Sequence, residues 1–402
     1  MITDKKTIIE EAQAIANQLS EWRRHLHQYP ELSFKEYETG KFVISKLKEF
    51  GNIAVQTNVA KTGVVGMLSS GDGPTIAIRA DMDALPIVEQ SEHNFRSKRE
   101  GVMHACGHDA HTTILLGIAK IFSDRFREGT LSGTVKFLFQ PAEEDTDEEG
   151  LSGAPRMIQE GALDEVEKVI ALHVCPWQPV GVIQVNDGYS MANVDVFHAK
   201  IIGEGGHGGY PYMTKDPIWM LGFVLQAFYG LVSRRMSPLD TVAASIGKIS
   251  TGTASNIIPE EVSITGTLRT YSPEAREQLI KEVENIFKIT ESFGGSSTFK
   301  VETGEPALKN DPAVNTVLVQ AAKDLYPELK VVREPFGMGG EDFGYMTQKV
   351  PGAMFFLGCS LGDGKKRDLH TNIFDIDERC LEMGVSILAE TAMRFLAEKD
   401  SS

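Results

Sequence analysis

The 402-residue chain is poor in cysteine, with only Cys106, Cys175, Cys359 and Cys380. Four thiols scattered over this length build no disulfide framework and fit a reducing compartment. Long hydrophobic runs are missing as well. No stretch approaches the roughly 18–20 apolar residues that cross a bilayer, and the opening MITDKKTIIEEAQ carries no apolar signal core. The expectation is a cytoplasmic protein without a membrane partner. Positive charge is in deficit, since 40 Lys and Arg stand against 56 Asp and Glu for a net charge of −16. Such a chain lacks the basic face that neutralises phosphates, which argues against a general nucleic-acid binder. Repeats and low-complexity tracts are absent from the sequence.

What is present is an ordinary globular composition, 42% apolar and 24% charged, at a length that favours two domains. Thr7 to Tyr29 has helical periodicity in Ile8, Ile15, Leu19, Trp22 and Leu26, and Pro30 closes it. Ser33 and Glu36 read as a capping box for a second helix that stops at Gly51. Three nearly continuous apolar runs follow, TIAIRA (75–80), TVKFLFQ (134–140) and KVIALHV (168–174), the pattern of strands buried on both faces. From Met191 to Thr303 the order becomes strand, helix, strand, strand, helix, strand, which is the ferredoxin-like arrangement. Alternating helices and strands then resume, ending in a helix over Ile376 to Lys399. The expected fold is therefore α/β: a catalytic domain with a central, mostly parallel sheet flanked by helices (residues 1–190 and 304–402), interrupted by an α+β satellite domain (191–303).

Chemistry concentrates in GVMHACGHDAH (101–111), where His104, Cys106, His108 and His111 are candidate ligands for zinc or a neighbouring first-row metal. The apolar runs lead into further candidates. TIAIRA delivers Asp81 and Asp83, TVKFLFQ delivers Glu143 and Glu144, and KVIALHV contains His173; a late histidine, His370, follows the apolar AMFFLGC (353–359). Buried parallel strands present ligands at their carboxyl ends. Cys106, His108, Glu144, His173 and His370 exceed the needs of one tetrahedral ion and suit two. One glutamate of the Glu143–Glu144 pair is then available as general base, and the residues alone leave open which one.

RADMDALP (79–86), MHACGHDAHTT (103–113), FQPAEE (139–144), GEGGHGGYP (203–211), GEDF (340–343) and His370 occur in that order. In these motifs the chain closely resembles, nearly end to end, the metal-dependent amidohydrolases that include microbial aminoacylases, hippurate hydrolases, thermostable carboxypeptidases and plant auxin-conjugate hydrolases. The resemblance implies that Cys106, His108, Glu144, His173 and His370 hold two divalent ions (Zn, Mn, Co or Ni) and that Glu143 is the base. It further implies that Asp83 and Asp109 orient imidazoles and that His207 stabilises the oxyanion, coming in some relatives from a partner subunit. Asn256 and Arg269 would bind the substrate's carbonyl and free carboxylate. The implied activity is hydrolysis of the amide of an N-acyl amino acid or short peptide at its C-terminal residue; a metallocarboxypeptidase acting mainly on peptides is the alternative.

The satellite strands offer an edge for a homodimer or homotetramer. Two readings compete: a metal-binding module with a decayed site, and a hydrolase using Cys106 as nucleophile. The chain departs from its relatives in the acidic run Asp145 to Glu149, where they often carry glycines.

Overall fold

A computed structural model describes residues 7–397, and in it the chain divides into two compact units. The first takes in the chain up to Gly188, then Lys309–Phe336 and everything from Tyr345 onward; the second is Tyr189–Leu308 with Gly337–Gly344. These bounds differ from those read in the sequence, 191–303 for the insert and 304–402 for the returning segment. Hydrogen bonding explains the transfer of Gly337–Gly344. The Gly337 N–H donates to the Ser190 carbonyl (3.1 Å) and the Ala192 N–H to the Gly339 carbonyl (3.1 Å), and Met191 bridges Gly337.

An eight-stranded sheet organises the first unit. Its order is Ala54–Val59, Gly63–Ser69, Thr134–Gln140, Thr75–Asp81, Lys168–Pro179, Gly352–Ser360, Val182–Val185 and Lys330–Arg333. The four strands from Thr134–Gln140 to Gly352–Ser360 pair in parallel. They are the continuous apolar runs of the sequence, and every residue of Ala353–Cys359 is buried. Burying phenylalanines such as Phe137 and Phe355, which have no exposed surface, stabilises the fold by about 1.5–3 kcal/mol each. The strand containing His173 runs on to Pro179, past the expected end at Val174, because it regains pairing with Ser360 beyond a register shift at Gly358.

Helix His108–Arg127 is buried around nearly its whole circumference, as a helix covered by sheet and neighbouring helices must be. The single helix expected over residues 7–29 is two, Ile8–Ala14 and Ala16–Gln28. At the break the Ile15 N–H donates to Ala12 O, an i−3 bond that tightens the turn. The last helix is Arg379–Ala397, and Lys399 lies outside the described residues. No helix among them is long and apolar enough to cross a membrane.

The second unit carries a four-stranded antiparallel sheet in the order Val242–Thr251, Glu261–Thr270, Asp195–Ile202, Ser296–Thr303. With helices Pro217–Arg235 and Pro273–Phe287 this is the ferredoxin-like topology. Both helices start at Pro, and Asp216 and Ser272 accept backbone N–H bonds as N-caps.

Candidate metal centre

The donors converge at the carboxyl ends of adjacent parallel strands in the first unit. Cys106, His108 and His173 have ligand atoms within 4.8 Å of one another, as do Cys106, Glu144 and His370, and also His108, Glu143 and Glu144. Backbone devices put each one there. Gly107, between Cys106 and His108, has φ +91°, and a β-carbon on it would lie 2.2 Å from Val174 Cγ2, so the chain turns into the helix only with glycine at this position. His370 adopts φ 61°, and its N–H donates to the Ala105 carbonyl at 2.8 Å, which sets it beside Cys106. Ala142, just before the paired glutamates, also has positive φ, 49°. Left-handed backbone at two non-glycine residues flanking one cluster is strain held by its surroundings, a common mark of a functional site.

Ring hydrogen bonds orient His108 and His173, two of the buried candidate histidines. A carbonyl only accepts, so His108 Nδ1 donates to Asp83 O (2.8 Å) and His173 Nδ1 donates to Val174 O (2.8 Å). In both rings the lone pair of Nε2 is thereby turned into the cluster. His108 Nε2 is buried without a hydrogen-bond partner, with Asp81 Oδ2, Glu144 Oε1 and Glu143 Oε2 at 3.7, 3.9 and 4.0 Å. His173 Nε2 faces Cys106 Sγ at 3.4 Å. His111 is different: Nδ1 donates to Asp81 Oδ1 (2.6 Å), and Nε2 accepts the Val174 N–H (2.9 Å). Both its nitrogens are engaged, so it supports the site and does not face it.

Charge in the cluster favours a bound cation. Burial opposes protonation of His108, yet in the absence of a metal the Asp81, Asp83 and Glu144 carboxylates outweigh it and lift the pKa to about 10; a bound cation would supply that positive charge and free the Nε2 lone pair for coordination. Burial, followed by the Glu144, Glu143 and Asp81 charges, pushes the Cys106 thiol well above its ordinary range. Thiol, imidazoles and carboxylate together form a donor set suited to first-row divalent ions. The residues present therefore fit the implied metals.

Asp83 organises the pair of glutamates. Its Oδ1 and Oδ2 accept the Glu143 and Glu144 N–H groups at 3.1 and 3.0 Å, and Oδ2 also accepts the Ser33 hydroxyl at 2.6 Å. The presumed capping box is thus no cap. Ser33 binds Asp83, and Glu36 accepts the Ala142 N–H (2.8 Å) and the Thr62 hydroxyl, while the first turn of helix Tyr37–Phe50 is capped by Glu31, whose Oε2 accepts the Glu38 and Thr39 N–H groups at 2.8 and 2.9 Å. Replacing Asp83 by Ala leaves two backbone N–H groups unsatisfied; stability should fall by about 1–3 kcal/mol and metal affinity by roughly 10–100-fold. Chelator competition reads the second effect, and unchanged affinity would show that the turn holds without Asp83.

Asp109 contacts an imidazole outside the five candidate ligands. Its Oδ2 binds Arg23 Nε (3.1 Å) and His27 Nδ1 (2.8 Å), so the imidazole it orients is His27. Arg23 and His27 are supporting residues that reading the sequence left out, while Ser33 and Glu36 were read there as a capping box and Asp81 as a candidate without a stated role. Only Asp81, at the end of TIAIRA, carried a local signal.

The second unit holds the remaining candidates. His207 and Ile257 pair in a short ladder, and the Gly208 N–H donates to Asn256 O at 2.8 Å. His207 Nδ1 accepts the Gly209 N–H (3.0 Å), which leaves the proton on Nε2 of an exposed ring. Arg269 is half-buried, and its Nε donates to Thr267 Oγ1 at 3.1 Å. Burial lowers its pKa against the pull of Glu305 and Asp195.

Known proteins are similar to this chain in sequence and fold. Residues 77–394 match the model of peptidase family M20/M25/M40. The chain is 38% identical over 393 residues to N-acetyl-L-cysteine deacetylase of Bacillus subtilis, covering 96% of this chain and 90% of that protein. It is 38% identical over 391 residues to IAA-amino acid hydrolase ILR1-like 2 of Arabidopsis thaliana, covering 94% and 85%. The crystal structure of the Bacillus subtilis YXEP protein, described as a dinuclear metal-binding peptidase, superposes with a TM-score of 0.82 at 35% identity, over 96% of this chain and 99% of that one. With its motifs, its fold and nearly its whole length matched in this way, the chain belongs to peptidase family M20/M25/M40, a family of metal-dependent hydrolytic enzymes.

Proposed function

We propose that this protein hydrolyses the amide bond of N-acyl amino acids or short peptides at the C-terminal residue, releasing a free amino acid, with two divalent ions held by Cys106, His108, Glu144, His173 and His370. The observation that carries the reading is the convergence of these five donors on one cluster, with the lone pairs of His108 and His173 turned inward. Bound divalent metals supply Lewis acidity that polarises a carbonyl and lowers the pKa of water. Glu143 takes the proton from the attacking water and passes it to the leaving amine. Glu144 is the ligand of the pair, a reading supported by its approach to His370 Nε2 at 3.1 Å. His207 donates its Nε2 proton to the developing oxyanion. Asn256 binds the substrate carbonyl, and the Arg269 fork binds the free carboxylate.

In this reading the second unit serves as lid and as the assembly element of a homodimer or homotetramer. Its strand Val242–Thr251 lies at a sheet edge and is mostly exposed, which suits pairing with a second copy.

The test is a substrate panel with defined metals. Chelation should abolish activity, and Zn, Mn, Co or Ni should restore it to differing degrees. Acetyl- and benzoyl-amino acids and dipeptides with a free carboxylate should be cleaved roughly 10–100-fold better in kcat/KM than their carboxamides, the value of a hydrogen bond to a charged group. Equal rates on the carboxamides would remove Arg269 from the scheme. Cleavage of dipeptides alone would select the carboxypeptidase reading.

A further inference from the structure

A second cluster of metal-type side chains lies in the first unit, outside the five-donor centre. His27 comes from the end of helix Ala16–Gln28, and Glu89 and His93 come from the segment after Asp83. We propose that His27, Glu89 and His93 form a further binding site for a first-row divalent cation of zinc type, with two imidazoles and one carboxylate as donors.

Geometry carries the proposal. His27 Nε2 and His93 Nε2 stand 3.3 and 3.2 Å from the same oxygen, Glu89 Oε1, and the three ligand atoms lie within 4.8 Å of one another. Donors about 2.0–2.1 Å from a tetrahedral ion are separated by roughly 3.3 Å. A charge-assisted N–H···O bond is shorter, about 2.7–2.9 Å. His93 strengthens the distinction: although 3.2 Å from the oxygen, it makes no hydrogen bond there, and both its ring nitrogens are buried without a hydrogen-bond partner. Rings that share an ion aim their lone pairs at the ion and not at a fellow ligand, which produces this combination of closeness and misalignment.

The surroundings hold each donor in place. His27 Nδ1 bonds Asp109 Oδ2 at 2.8 Å, the carboxylate–histidine arrangement that orients a ligand's ring, and Nε2 is hydrogen-bonded to Glu89 Oε1 at 3.3 Å, so a bound cation would take the place of the Nε2 proton. Glu89 Oε2 accepts the Ser97 N–H at 2.7 Å, turning Oε1 toward the two rings. His93 is stacked on Phe95 with centroids 3.8 Å apart and planes at 10°, and the Arg23 and Arg24 guanidiniums lie over the same phenyl ring. The charge of Arg23 is met by Asp109, Asp375 and Glu378. His27 and Glu89 are fully enclosed, and His93 is only slightly exposed. The bound ion would clamp helix Ala16–Gln28 to the segment that leads into Met103–His111.

Metal content of the chelator-stripped protein, reloaded with zinc, tests this when wild type is compared with His93→Gln. The expected result is about one equivalent less per chain in His93→Gln, with amide hydrolysis unchanged. Because the readout is a difference, it does not depend on how many ions the five-donor centre takes. Equal metal content in the two proteins overturns the proposal. Cobalt(II) titration followed by visible absorption is the second measurement, made on folded wild type and on Glu89→Gln. A tetrahedral cobalt signal present in wild type and lost in Glu89→Gln supports the site, and identical spectra overturn it.

Discussion

Glu143→Gln is expected to lower kcat by about 10²–10⁴-fold while KM and metal content stay near wild type. The substitution keeps the shape and the backbone N–H that Asp83 Oδ1 accepts, so the turn at residues 141–144 should survive. What is lost is the one function glutamine cannot serve, taking a proton from water. The split is informative, because a ligand replacement would remove metal along with activity. Glu144→Gln should do that. Single-turnover rates and metal analysis on the same samples separate the two, and a Glu143→Gln enzyme within about tenfold of wild type would move the proton transfer to another group.

The second large effect is on stability. Arg23 has no exposed surface, and its three nitrogens bind Asp109 (3.1 Å), Asp375 (3.0 Å) and Glu378 (3.2 Å). Burial works against its charge, and the three carboxylates more than restore it, so its pKa is raised above the usual arginine value. Arg23→Met removes the cation that these three acids share and leaves His27 as the hydrogen-bond partner of Asp109. Breaking a buried ion network from one side costs about 3–5 kcal/mol. Urea unfolding of the metal-loaded protein should show that loss in the transition of the first unit. Arg23→Lys should recover only part of it, since an ammonium cannot span three partners placed for a planar fork. A loss under about 1 kcal/mol for Arg23→Met would mean that the carboxylates re-pair locally.

The parallel core and the main donors were legible in the sequence for a simple reason. TIAIRA, TVKFLFQ and KVIALHV are nearly continuous apolar runs with acids or an imidazole at or just beyond them, and the thiol Cys106 and imidazole His108 are crowded into one short segment, 101–111. The ferredoxin-like order was equally plain from its alternation of periods. The supporting residues were hidden because their partners are distant in the chain. Ser33 and Glu36 satisfy the local pattern of a capping box, yet Asp83 and the Ala142 N–H bind them instead; a long-range bond in a buried turn outweighs a solvent-side cap. Arg23 and His27 sit on a helix whose apolar stripe was read correctly, but its polar side also faces inward, and periodicity of apolar residues cannot report that. Gly337–Gly344 joins the second unit through backbone bonds, which leave no trace in side-chain pattern.

The order in which the donors occur along the chain has a consequence for synthesis. Cys106, His108, Glu144 and His173 emerge from the ribosome before the second unit does, whereas His370 follows it, as does the parallel strand Gly352–Ser360 that pairs with the His173 strand. At roughly 5–20 residues per second, the early donors wait for tens of seconds beside an unfilled sheet position. During that interval an incomplete set of thiol and imidazole groups is open to whichever ion is most abundant and binds most tightly. The ion acquired by the proposed centre is then expected to follow the metal supply around the nascent chain, and metal analysis of protein expressed in zinc-rich and in manganese-rich medium reads that dependence.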